Sequence, residues 1–268
     1  MDAAIAPAAA LPPPSSLPAA TKRRRLDAAV VRRTPETLHP DLWLGHQLGR
    51  TGAQTVASGF ARLDAELPDG GWPRGALSEL LLAHPGVGEM RLLAPALVAT
   101  QRDGRLVMLF DPPAALAAAA LAALGFAVDE LLVVATRSGL TPGRDGLWAL
   151  EQALKSGHVG AIVAWLPQQL RAERLRRLQL AAHRHDGVAF VLREMAAAAR
   201  PTAAPLRVAL HAGGADRVEL RILKRRGPPL ESPLELELPS VLSAAARRRS
   251  AKGSKARRLP AATFVDVA

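Results

Sequence analysis

Apolar residues in this chain fall into short unbroken runs separated by amphipathic stretches. Runs rich in Val, Leu and Ile occupy 77–82, 105–110, 131–135, 159–165 and 187–192. They lack polar alternation, as strands buried on both faces do. Between them the helical period predicts helices over 89–102, 113–124 (closed by Gly125), 145–156 (closed by Gly157) and 170–184. Strands alternating with helices imply right-handed crossovers and a mainly parallel sheet. Beyond Pro201 the pattern changes. LRVALHA (206–212) and RVELRILK (217–224) flank Gly213-Gly214, and LELEL (234–238) alternates strictly, so all three read as antiparallel strands at the sheet edge. Upstream, Phe60, Leu63 and Leu67 space a short amphipathic helix, and Pro68 to Gly75 is dense turn chemistry. A further apolar segment opens at His39-Pro40-Asp41-Leu42-Trp43-Leu44 and is expected to form one helix ending at Gly45 or Gly49.

Composition frames this core with two tails. Of 268 residues, 49% are apolar, enough for a sizeable core. Residues 1–36 are rich in Ala, Pro, Ser and Arg without an apolar period and read as disordered. Residues 37–239 form the expected core domain, and 240–268 a basic disordered tail. The net charge of +11 is uneven: the N-terminal tail holds six Lys/Arg against three Asp/Glu, and the C-terminal tail seven against one, leaving +2 for the core. The core therefore lacks a strong electrostatic footprint for DNA. Cysteine is absent, which suits a reducing cytosol and removes disulfides and thiolate metal sites. No apolar run is long enough to predict a membrane span, and the proline-broken N-terminus is a poor signal peptide. Aromatics make up only 3%, which argues against stacking platforms for bases.

The segment from Ser78 to Leu93 has the layout of a phosphate-binding loop. A buried strand leads into a loop with Pro85, Gly86 and Gly88, and a helix follows from Glu89. A working loop reads G-x-x-x-x-G-K-[ST]; its lysine reaches the β- and γ-phosphates and its hydroxyl holds magnesium. In this frame the chain has Ala83, Gly88, Glu89 and Met90. A carboxylate stands where the ammonium belongs and repels phosphate, and a thioether replaces the magnesium ligand. Gly86 and Gly88 read more readily as a structural turn than as a phosphate cradle. The expectation is a chain that binds no nucleotide cofactor or metal, is not an enzyme, and acts by binding.

With its residues in this order, the chain resembles the RecA ATPase core over about 38–238. It is most similar to the RecA-related accessory proteins encoded with error-prone polymerases in bacterial SOS mutagenesis cassettes, the ImuA family. Ser58-Gly59-Phe60-Ala61-Arg62-Leu63-Asp64 and Gly70-Gly71-Trp72-Pro73-Arg74-Gly75-Ala76-Leu77 carry the RecA likeness, with LGFAVDELLVV (124–134) and SGHVGAIVAW (156–165) following in RecA's order. HPDLWLG, GGWPRGAL, WALEQAL, AWLP and ILKRRG carry the ImuA likeness. The resemblance implies that Pro113 falls at the catalytic glutamate, Trp165 at the end of the degenerate Walker-B strand, and Arg193 at the nucleotide-sensing glutamine. It also implies an adaptor in SOS-induced translesion DNA synthesis, cytoplasmic and nucleoid-associated after DNA damage. Implied partners are an inactive Y-family polymerase homologue, an error-prone C-family polymerase and RecA itself, and self-association into a homo-oligomer. An SOS cell-division inhibitor with a degraded RecA-like fold and a residual DNA-dependent ATPase remain open alternatives.

Other residues carry weaker signals. Arg247, Arg248, Arg249, Lys252, Lys255, Arg257 and Arg258 form a dense cationic run expected to give weak, sequence-independent DNA affinity, with a solubilising tail as the bland alternative. Trp43, Trp72 and Phe264 are candidate protein-interface anchors; completing the core is the alternative for the two tryptophans, and a frayed terminus for Phe264. Trp148 and Trp165 read as core or subunit-interface residues rather than ligand platforms. Arg171, Arg174, Arg176, Arg177 and Arg184 share one predicted helix and read as a solvated face before a DNA contact. His183, His185 and His211 lack metal-ligand spacing.

Overall fold

A computed structural model describes residues 54–136, 144–214, 216–230 and 232–240. The expected tails, the segment at Trp43 and the cationic run at 247–258 lie outside the described residues, as does Phe264. The described residues fall within one compact unit. Strands β1 (Thr55–Val56) and β2 (Trp72–Pro73) form a two-stranded antiparallel ribbon. The other strands make one eight-stranded sheet: β3 (Leu77–Leu82), β4 (Leu106–Phe110), β5 (Leu131–Val134), β6 (Val159–Trp165), β7 (Val188–Glu194), β8 (Leu206–Gly214), β9 (Arg217–Lys224) and β10 (Leu234–Glu237). Its spatial order is β10-β9-β8-β3-β7-β6-β4-β5. Every pairing from β8 to β5 is parallel, and β9 and β10 add antiparallel strands at one edge. This is the α/β architecture expected from the alternating pattern, with one correction. β8, expected from its sequence among the antiparallel edge strands, lies parallel beside β3. Residues 195–205, with a 3-10 turn at Met195–Ala199, carry the chain across β3 between β7 and β8. This crossover is at the short end of what a parallel return takes, about 10–12 residues.

Helices cover both faces of the sheet. α1 (Ala61–Asp64), α2 (Glu89–Arg102) and α3 (Ala118–Ala123) lie on one, burying Leu63, Leu92, Leu93, Leu97 and Leu121 against Leu80, Val107, Val163, Phe190 and Val208. α4 (Arg144–Lys155) and α5 (Ala172–Ala182) cover the other, where Leu150, Leu154, Leu175 and Leu178 meet Leu77, Ile162 and Val191. The parallel strands are buried along almost their whole length except β5, the free edge, and the last four residues of β8. No helix among the described residues is long and apolar enough to cross a membrane.

The SGFARLD motif has a local mechanical role. Asp64 accepts the Ser58 amide at 2.8 Å, and the Phe60 amide donates to the Ser58 hydroxyl at 3.1 Å. Ser58 and Asp64 thereby clamp the entry to α1. Gly59 has φ +83°, and a Cβ there would sit 2.4 Å from the Pro95 side chain, so only glycine lets this turn seat on α2. Trp72 corrects another expectation. It is fully buried, with its ring 5.2 Å from Phe190 in an edge-to-face pair, and leaves no surface for a partner. The β1–β2 ribbon turns the indole inward, toward the apolar layer under α1. Replacing Trp72 with Ala should lower the unfolding free energy by roughly 3–5 kcal/mol. Urea denaturation checks this: an unchanged midpoint would contradict the core placement.

Candidate functional site

The loop between β3 and α2 lies at the carboxyl end of the central strands, where open α/β sheets place their ligands. Ala83 to Gly86 are exposed, whereas Val87, Gly88 and Glu89 are buried. Gly88 is the N-cap of α2 and has φ +118°. The Glu89 side chain turns back into the loop: its carboxylate accepts the Gly86 amide at 2.9 Å and the Gly88 amide at 3.1 Å. Glu89 thus does more than lack the charge of a lysine. Its carboxylate takes the amide hydrogens that a phosphate would require, at a helix N-terminus that favours an anion. Met90 is half-buried and packs on the apolar core rather than facing the loop.

The loop is also covered from outside. A Cβ on Gly88 would meet Leu238 Cδ1 at 2.6 Å, so the end of the β10 segment lies directly on it. Arg91 holds that segment through Asp216 at 2.9 Å, and Asp216 in turn accepts the Leu238 amide at 2.8 Å. A magnesium–triphosphate does not fit these residues. The loop amides hold an internal carboxylate, Leu238 covers Gly88, and no hydroxyl stands at position 90.

The neighbouring strand ends are equally committed to the protein itself. Asp111 follows β4 in the left-handed region, φ 51°, and its carboxylate accepts the Thr136 amide at 2.6 Å and the Thr136 hydroxyl at 2.8 Å. Pro113 is exposed. Trp165 ends β6, partly buried against the core, with its indole Nε1 buried and unpartnered. Arg193 is buried within β7. Its guanidinium donates to Glu79 Oε1 at 2.8 Å, to the Gln168 carbonyl at 2.5 Å and to the Pro167 carbonyl at 3.3 Å.

Glu79 is a centre that reading the sequence missed. It lies fully buried in the middle of β3, and its second oxygen accepts Arg207 Nε at 2.8 Å. Arg207 also donates to the carbonyls of Ala197, Ala198 and Arg200. Burial alone would raise the Glu79 carboxyl pKa, but hydrogen bonds from Arg207, Thr202 and Arg193 outweigh it and hold the group below the usual carboxylate range. The signal for this centre was present: a glutamate inside the apolar run LSELLL must be paired if that run is buried.

At the opposite end of the strands, a cleft of about 580 Å3 is lined by Arg74, His183, His185, Asp186 and Arg226, among others. Its charges are partly spent on the fold, since Arg74 bonds the Asp186 carbonyl and Arg105 the Asp186 carboxylate. Burial pushes the His185 imidazole pKa down. Among the described residues no cluster of three or more His, Asp or Glu could hold a metal.

Fold and loop together define a RecA-like α/β protein. Protein RecA from Streptococcus mutans is 33% identical over 110 residues, 41% of this chain and 27% of that protein. Protein RecA from Borrelia hermsii is 31% identical over 112 residues, 42% of this chain and 30% of its own length. The chain therefore spans less than a third of these relatives. Residues 75–189 match the model of the SulA family, described as cell division inhibitor SulA.

Two outcomes test the site. Glu79→Gln should destabilise the protein by about 3–5 kcal/mol, because it leaves buried arginines uncompensated. The depressed Glu79 pKa makes its contribution present above the unfolded carboxylate value and lost as pH falls through the folded one. Acid unfolding of the wild type should accordingly be steeper than that of Glu79→Gln. Glu89→Ala, which leaves two loop amides without their acceptor, should cost about 1.5–3 kcal/mol in urea denaturation; no loss would mean that water replaces the carboxylate.

Proposed function

We propose that this chain is a non-catalytic, RecA-like adaptor acting in SOS-induced, error-prone translesion DNA synthesis. The observation that carries the non-catalytic part is the Glu89 carboxylate on the amides of Gly86 and Gly88. Phosphoryl transfer depends on positioning and charge neutralisation of phosphates, and this loop supplies a negative charge instead. The polymerase context rests on the ImuA-like segments around GGWPRGAL, WALEQAL, AWLP and ILKRRG. On this reading the partners are the inactive Y-family polymerase homologue, the error-prone C-family polymerase and RecA. The basic run at 247–258 adds weak, non-specific DNA affinity.

A second reading, an inhibitor of cell division, is favoured by the SulA-family match over 75–189. The two readings differ in partner. Co-purification from DNA-damaged cells should recover polymerase subunits on the first and a tubulin-like division protein on the second; recovery of the division protein alone would overturn the adaptor reading. ATP hydrolysis should stay at background, and Glu89→Lys should not raise it, because the magnesium ligands are still missing. Turnover that disappears on substituting Gly88 would overturn the non-catalytic part. Truncation after Ser240 should remove most DNA affinity and flatten the dependence of log K on log salt.

A further inference from the structure

The outer faces of α4 and α5 enclose a groove of about 170 Å3 lined by Leu147, Trp148, Glu151, Arg174, Arg177 and Leu178. Trp148 stands 61% exposed at its rim, although the sequence placed it in the core or a subunit interface. Its helix buries Leu150 and Leu154 instead, which turns position 148 outward. On α5, Leu180 is 59% exposed. Residues 171–184 carry five arginines and a single acid, Glu173. Glu151 is already saturated: it accepts Lys155 at 2.5 Å and Arg177 at 2.7 Å, and both hold its pKa down despite partial burial. Arg174, by contrast, lines the groove with no acidic partner among the described residues. The groove therefore combines an exposed indole with the unpaired guanidinium of Arg174, and Leu180 exposes further apolar surface on α5.

We infer that this α4–α5 face is a docking surface for an acidic amphipathic segment of a partner protein. The partner's apolar side chain enters the groove against Trp148, and its carboxylates meet Arg174 and the flanking arginines. Three features support this occupant. Trp and Arg are the side chains that most often anchor protein interfaces. The excess of arginine demands acidic complementarity, and planar guanidinium groups pair carboxylates in a bidentate fashion. Nucleic acid fits less well. Stacking platforms take successive bases on several rings, and among the described residues no second aromatic is as exposed as Trp148. The inference deepens the adaptor reading by naming a surface and a partner chemistry, and rests on it only for the partner's identity.

The test uses the full chain and a short synthetic helical peptide with leucines at i, i+3 and i+7 and glutamates elsewhere. Binding should shift the tryptophan emission to the blue. Trp148→Ala should weaken binding about tenfold or more and abolish the shift. Arg174→Glu should weaken binding by at least as much, whereas Arg184→Glu, the same charge change outside the groove, should have a smaller effect. Circular dichroism checks that each variant is folded, which the exposure of these side chains favours. Equal binding by the variants and the wild type would overturn the inference, as would equal binding of the matching lysine peptide. Displacement of the peptide by oligo-dT, lost in Trp148→Ala, would reassign the face to single-stranded nucleic acid. Failure of this peptide leaves co-purification of polymerase subunits unaffected, so the surface and the adaptor reading fall separately.

Discussion

The arrangement of the sheet turns on a buried carboxylate. Glu79 occupies the centre of the central strand, with Arg207 directly across on β8 and Arg193 two residues further along β7. A one-residue slip of either neighbour would drive an arginine into the apolar layer beneath α2 and strip Glu79 of one of its two partners. The triad is not a large source of net stability, since desolvating three charges offsets much of their attraction. Its effect is on specificity: it admits one register for three strands. It also ties down the chain after β6 and β7, because the spare donors of both arginines end on the carbonyls of residues 167–168 and 197–200.

Those same segments border the carboxyl ends of the strands, where a RecA-like fold would act on a nucleotide. Here Arg193, which the resemblance sets at a nucleotide-sensing glutamine, is held in the interior by Glu79. The loop amides face an internal anion, and Asp111, the acid closest in sequence to the expected catalytic position, is engaged by Thr136. Glu89, Asp111 and Arg193 have each been drawn into the scaffold. Exposed features elsewhere on the protein include the Trp148 indole of α4 and arginines of α5.

The match to the SulA family spans this end of the sheet. It runs from just before β3 into β7. That segment contains the degenerate loop and both helices of the Trp148 groove. The features that set this chain apart from a nucleotide-processing relative, and the surface with which it would meet a partner, thus lie in the same stretch of sequence.

By itself, the sequence determined the element order, most strand and helix limits, the parallel core and the loss of the phosphate-binding lysine. Those are properties of local period and residue type, and β3, β6, β9 and α2 fall on the predicted limits. Tertiary structure decided the rest. Whether Trp72 faces inward and Trp148 outward depends on how a two-residue ribbon and an edge helix pack. Whether β8 lies parallel depends on where an eleven-residue crossover lands. The pairing of Glu79 with Arg193 and Arg207 joins residues 114 and 128 positions apart, a separation that no local pattern encodes. The return of Glu89 onto its own loop depends on backbone geometry at Gly86 and Gly88, where positive φ turns the amides toward a common point.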